Sequence, residues 1–399
     1  MKKTNLIEGV NLSSSSSNTR YGKREDTALI VLDKNSVISG KFTSNKFQAA
    51  PVKIAKKHLK IRKRKQKTAF IINAGNANAG TGEQGKEDVK TCCEEVAKLL
   101  NIEEKNVIPF STGIIGEYLE TKKHIEALKK AEKKLNPFNW NKVSKSILTT
   151  DTKPKLISKE IQIGNKKILI KGFAKGSGMI RPDFATLLSF VFLDAKVNES
   201  LLANIHKTVL QESFESITVD GDTSPNDSSV LVATGRSGKQ VLKNSKELSE
   251  LTDKLKEIYK SLALKIINDA EGSSKQILVK VTMAQTKKVA KSIAFNIAES
   301  LLVKTAFYGN DPNWGRILAA IGRTQGVKSV SKVDIALNNT PLIKHGNRDQ
   351  KYTELKAKKA AKAKLINILV NLNDGEESFS VLTSDLTKEY VSINSDYKS

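Results

Sequence analysis

The chain has 399 residues, 39% hydrophobic and 27% charged, with a formal net charge of +25. That length supports one large or two ordinary domains around a substantial core, and no apolar run approaches the roughly 18 residues that span a bilayer. The two cysteines, Cys92 and Cys93, are adjacent, a poor geometry for a mutual disulfide; they read as reduced packing residues rather than a redox or metal pair.

Residues 1–20 contain the run Ser13 to Ser17 and read as a loose terminus or long loop. They lack the apolar core of a secretory signal, so the protein is expected in the cytoplasm. Thr27–Leu32 and Thr68–Asn73 are apolar runs of strand length. Between them, Lys56 to Lys67 is densely basic, which raises nucleic-acid binding. Arginines and aromatics are few, however, and most of the excess charge is lysine spread along the chain. A solvated surface is the simpler reading, and no nucleic-acid partner is expected. Glu87–Leu100 and Lys122–Leu135 read as helices. A weak boundary is expected within residues 151–165, and Leu187–Leu193 is a strongly apolar strand. Leu248, Leu251, Leu255, Ile258 and Leu262 share one helix face, as do Val289, Ile293, Ile297 and Leu301. Further strands are expected at Gln276–Thr282, at Phe379–Leu382 and near Glu389–Ile393. Such mixing implies a layered α/β or α+β architecture.

Six segments depart from amphipathic patterning, being dense in Gly, Asn, Thr and Asp. Asn73 to Lys86 follows a strand and precedes a helix. Its Gly80, Gly85 and Lys86 nearly match a phosphate loop, but Glu87 stands where a magnesium-binding hydroxyl belongs. Ser111-Thr112-Gly113 follows an apolar run, and hydroxyl or backbone N–H donors there could form an oxyanion hole. Lys175 to Thr186 is a Gly/Pro-rich loop ending on a hydroxyl at a strand start. Ser213 to Asp227 has calcium-like Asp spacing without the closing glutamate, and reads as a tightly hydrogen-bonded loop. Asp269–Gly272 and Gly309–Arg316 could each be a turn or a cap.

None of the four histidines falls in these segments, which argues against a Ser-His-Asp triad or a metal cluster. One solution needs no histidine. Cleavage of the Ala185–Thr186 bond would give Thr186 a free α-amino group of pKa about 8, able to act as base for its own hydroxyl.

Taken together, these segments resemble the ornithine acetyltransferase family, some of whose members are bifunctional. The motifs are NAGNANAGTGEQG (73–85), STGIIG (111–116), TTDTKPK (149–155) and KGSGMIRPDFAT (175–186), then ITVDGDTSPND (217–227), DAEG (269–272), LVKTAFYGNDPNWGRI (302–317) and EYVSINSDY (389–397). The resemblance implies a four-layer αββα sandwich like that of N-terminal-nucleophile hydrolases, with a smaller C-terminal α/β region. It implies autocleavage between Ala185 and Thr186 into an α chain, 1–185, and a β chain, 186–399, assembled as α2β2. Thr186 would be the nucleophile, and Thr112 and Gly113 would stabilise the oxyanion. Thr152, Lys175, Thr186, Glu271, Asn394 and Ser399 would contact substrate, with Thr149 and Thr150 close to Thr152 in sequence. The implied reaction is ping-pong acetyl transfer from N2-acetylornithine to glutamate, releasing ornithine, with no metal or organic cofactor. Acetyl-CoA would be a co-substrate in a bifunctional member. Asp183 and Phe184 stand where the family usually has Asn and Met, Pro225 replaces a common Thr, and Ser399 replaces a terminal Thr while keeping the hydroxyl. The competing reading is an amidase or peptidase with the same nucleophile and water as acceptor.

Overall fold

The computed structural model describes residues 6–164, 166–181 and 187–396. Its first part runs β1 (Val10–Ser15), β2 (Thr27–Leu32), β3 (Val37–Phe42), α1 (Ala50–Ile61), β4 (Thr68–Asn76), α2 (Gly82–Leu100), β5 (Val107–Ile114), α3 (Thr121–Glu132) and α4 (Trp140–Ser146). There follow β6 (Lys155–Ile163), β7 (Lys166–Lys175), β8 (Leu188–Leu193), α5 (Glu199–Gln211), β9 (Ser228–Ala233) and α6 (Lys246–Ile267). The C-terminal part comprises β10 (Gln276–Ala284), α7 (Lys287–Ala298), α8 (Leu301–Tyr308), α9 (Trp314–Gly322), β11 (Asp334–Leu337) and β12 (Thr340–Lys344). It ends with β13 (Asn347–Arg348), α10 (Glu354–Ala361), β14 (Leu365–Asn371), β15 (Glu377–Ser384) and α11 (Lys388–Asp396).

Strands apolar at every position need cover on both faces. In β2, Ala28, Ile30 and Leu32 enter one core while Leu29 and Val31 enter another. In β8, Leu188, Phe190 and Phe192 face the first of these cores, and Val191 and Leu193 face a third. Among the described residues, the first sheet has the order β1-β2-β4-β5 and the second β3-β9-β8-β7-β6. Their shared core holds Phe110 edge-on to Phe190 at 5.0 Å, with Phe70 and Phe173 alongside. Helices α2 and α3 cover the outside of the first sheet, and α5 and α6 that of the second. The expected αββα sandwich is therefore present. Ser245 caps α6 by accepting from the Leu248 N–H at 3.2 Å. Leu251, Leu255, Ile258 and Leu262 then recur at helical spacing on its buried face.

The smaller C-terminal region is a sheet of order β13-β12-β11-β14-β10-β15, packed on α7, α9 and α10. It joins the sandwich where the Thr218 N–H donates to the Leu382 carbonyl at 3.0 Å. No helix among the described residues is long and apolar enough to cross a membrane.

Four expectations need correction. The serine run is no loose terminus: Ser13, Ser14 and Ser15 are buried in β1, which pairs antiparallel with β2. Their hydroxyls find partners, Ser13 on the Ala131 carbonyl at 2.6 Å and Ser14 on Glu25 at 2.5 Å. Among the described residues no boundary falls within 151–164, because β6 pairs with β7 along its length. The helix through Val289 stops at Ala298, and Ser300 caps a new one, leaving Leu301 exposed. Residues 389–393 are helical, because the Thr387 hydroxyl caps α11 by accepting from the Tyr390 N–H at 3.1 Å.

Candidate active site

The end of β5 is the first wall of the site. It runs parallel to β4, with Ala74 opposite Thr112 and Gly75 opposite Gly113. Gly113 has φ +133°, and a Cβ there would stand 2.5 Å from the Asn76 nitrogen, so only glycine fits.

The second wall is the end of β7. Lys175 is buried, and its Nζ reaches Thr149 Oγ1 at 2.7 Å and Thr112 Oγ1 at 3.1 Å. An ammonium only donates, so the Thr112 oxygen accepts and its own O–H proton remains to be donated elsewhere. Burial pushes the Lys175 amine below its usual range, and Asp151, with Oδ2 at 3.7 Å, opposes that shift.

The third wall comes from the junction with the C-terminal region. The Glu271 N–H donates to the Ser177 carbonyl at 3.0 Å, and its carboxylate accepts from Asn394 Nδ2 at 2.9 Å. Gly272, at φ +59°, lies so close to the start of α11 that a Cβ would approach the Tyr390 nitrogen to 2.5 Å. That contact brings Asn394 to Glu271.

Thr112, Gly113, Lys175, Glu271 and Asn394 line one cleft, together with Thr149, Thr150 and Leu187. Thr152 is not among the lining residues: its hydroxyl donates to Asp269 Oδ1, and its N–H donates to Asp269 Oδ2 at 3.0 Å. Ala185, Thr186 and Ser399 lie outside the described residues, as do Asp183 and Phe184. Leu187, next after Thr186 in the chain, lines the cleft, and its carbonyl accepts from the Ser228 N–H at 2.8 Å.

Two carboxylates escaped sequence reasoning. Asp151 is buried against Lys155, with Oδ1 at 2.5 Å from Nζ; the spacing of four residues was the available signal. Asp227 is buried in the cleft lining, and among the described residues its Oδ2 has no hydrogen-bond partner. Burial raises its carboxyl well above the usual range.

Ser224 to Asp227 also line the cleft, and the remaining parts of the other segments are structural where described. Gly85 packs on Thr81 and Asn78, and Lys86 pairs with Glu83 at 2.5 Å, which leaves no phosphate cradle. Asp220 accepts from the Met179 and Ile180 N–H groups at 2.6 and 2.9 Å. Asn313 caps α9. Of the four histidines none lines the cleft, and among the described residues no cluster of His, Cys, Asp or Glu is arranged to hold a metal. In the basic run, Arg62 donates to the Ser36 carbonyl at 3.0 Å, and Lys63 and Arg64 pair with Glu103 and Glu199. Cys92 and Cys93 are free and buried, and burial pushes the Cys92 thiol up to about 12.

The ArgJ family model matches residues 11–399. The chain is 40% identical over 395 residues to the arginine biosynthesis bifunctional protein ArgJ of Methylococcus capsulatus, covering 98% of this chain and 96% of that one. The protein of the same name from Neisseria meningitidis is 40% identical over 404 residues, with the same coverage. Among solved structures, an arginine biosynthesis bifunctional protein ArgJ from Bacillus halodurans is 34% identical, with a TM-score of 0.49, over 51% of this chain and 96% of that one.

Proposed function

The chain belongs to the ArgJ family, and we propose that it is a self-cleaving acetyltransferase of arginine biosynthesis, carrying acetyl from N2-acetylornithine to glutamate on Thr186. The observation that carries this reading is the convergence of Thr112, Gly113, Lys175, Glu271 and Asn394 on one cleft beside Leu187.

Each residue type suits its role. The freed α-amine of Thr186 takes the hydroxyl proton as Oγ attacks the acetyl carbonyl. The Thr112 hydroxyl and the Gly113 N–H then stabilise the oxyanion. Ornithine leaves as its amine takes up the proton, and the acetyl group remains as an ester on Thr186. Glutamate's amine attacks the ester, N-acetylglutamate departs, and the proton lost by the amine restores the threonine hydroxyl. Lys175 pairs with a substrate carboxylate, and Glu271, held by Asn394, orients a substrate amine. The Thr152 hydroxyl is held by Asp269, so no direct substrate contact is assigned to it, and the Ser399 hydroxyl completes the substrate contacts. No metal or organic cofactor enters this scheme; acetyl-CoA would enter only as a second acetyl donor. The α and β chains would stay together as α2β2 in the cytoplasm.

Purified protein incubated with N-acetylornithine and glutamate should yield N-acetylglutamate and ornithine. Acetate without N-acetylglutamate would identify an amidase instead. Denaturing mass spectrometry should give two fragments meeting between residues 185 and 186, and one intact chain for Thr186→Ala.

A further inference from the structure

Asp151 touches three pieces of the cleft at once. Its side chain is removed from solvent. Oδ1 accepts from Lys155 Nζ at 2.5 Å and from the Gly176 N–H at 2.6 Å. Oδ2 accepts from the Thr149 N–H at 3.3 Å and stands 3.7 Å from Lys175 Nζ. Among the described residues, no other carboxylate lies within 4 Å of that ammonium. Lys155 is itself buried and shared with Asp269 Oδ2 at 2.6 Å.

Two lysines and two aspartates are thus held out of water together. Buried ion pairs are a weak source of stability, because desolvation offsets most of their attraction. Stability alone does not explain the cluster, but its position behind Lys175 does. We propose that Asp151 is a positioning residue, whose carboxylate keeps the Lys175 ammonium charged and aimed into the cleft. The inference rests on Lys175 pairing with a substrate carboxylate, as proposed above.

The charges around Lys175 oppose one another. Asp151 favours its protonated form, as do Asp227 from the loop before β9 and Glu271 from the turn after α6. Lys155 on β6 and burial disfavour it. Removing Asp151 therefore makes Lys175 lose its proton at lower pH, and removing the Lys155 charge makes it lose the proton at higher pH. Loosened packing would not move the two in opposite directions.

The test compares wild type, Asp151→Asn and Lys155→Met. Acetyl transfer to glutamate is followed as kcat and KM between about pH 6 and about pH 10, where a perturbed lysine titrates. Substrate amines titrate identically with all three proteins, so differences belong to the enzyme. Asp151→Asn should move the alkaline limb of kcat/KM down by at least about one pH unit, the low end for a lost opposite charge at this range. Lys155→Met should move it up. Limbs that coincide, or that move in the same direction, overturn the inference. If Asp151→Asn does not fold, Lys155→Met decides alone: an upward limb supports the inference, and an unmoved or lowered one overturns it. Wild-type protein that makes no N-acetylglutamate overturns the functional reading together with this inference, whereas coincident limbs in an active enzyme overturn the inference alone.

Discussion

Gly178→Ala tests whether the Glu271 carboxylate must stay where it lies. Gly178 packs directly against that group: a Cβ would meet Glu271 Cδ at 2.5 Å and Oε1 at 2.6 Å. Ordinary contact begins at 3.4 Å, so the carboxylate must retreat by roughly 1 Å. Its hydrogen bond from Asn394 Nδ2, now 2.9 Å, would be broken or redirected. A misplacement of that size in a positioning group costs about 100-fold in rate, equivalent to about 2.7 kcal/mol of transition-state stabilisation. Steady-state kinetics with N-acetylornithine and glutamate should show that loss in kcat/KM. Two-fragment mass spectra should persist, because the role proposed for Glu271 is toward the substrate amine and not the peptide bond. A variant with wild-type kcat/KM would refute the reasoning, since Glu271 would then tolerate displacement.

Gly113→Ala should be more severe, because the obstruction is the backbone of β4 and cannot swing away. Loss of self-cleavage is expected, with destabilisation of at least about 3 kcal/mol by urea unfolding. Phe190→Ala removes the ring at the centre of the inter-sheet aromatic group and should cost about 3–5 kcal/mol in the same assay. His206 is buried between Ser39 and Ser229, each 3.0 Å from a ring nitrogen, and burial pushes its imidazole down to about 3. An unfolded histidine titrates near about 6.5, so between these values the unfolded state binds the proton first. The folded state then loses about 1.4 kcal/mol per pH unit on acidification. His206→Asn should lose less stability than wild type between about pH 6 and about pH 4, a window inside that interval; equal slopes would show that the ring does not control acid sensitivity.

Much of the sandwich was legible because its central strands carry the burial signal at every residue. Thr27–Leu32 was bounded correctly by apolarity alone, and the strand from Leu187 was misplaced by one residue. β1 was illegible because serine is a poor strand signal. Its hydroxyls are satisfied by Ala131, 118 residues away from Ser13, and by Glu25. α11 misled because Tyr390, Val391 and Ile393 suggested a strand, yet Val391 is 60% exposed. At the site, the five described residues that converge were named from motifs shared with a known family; read locally, Asp269–Gly272 could have been a turn or a cap, and the stretch leading to Asn394 read as a strand. Of what stood behind them, only the four-residue spacing of Asp151 and Lys155 left a local signal. Asp269 lies 117 residues from the threonine it holds, and no local pattern reports a partner at that range.

The strand order of the second sheet has one more consequence. β3, β7 and β6 precede residue 185 in the chain, while β9 and β8 follow it and lie as an adjacent pair between β3 and β7. A break between residues 185 and 186 would leave two polypeptides stitched along β3–β9 and β7–β8, each seam six residues long. Neither could depart without unzipping both seams and opening the hydrophobic layer beneath. Isotopically marked and unmarked enzyme, mixed after processing, should therefore keep their original halves for as long as the native sheet survives.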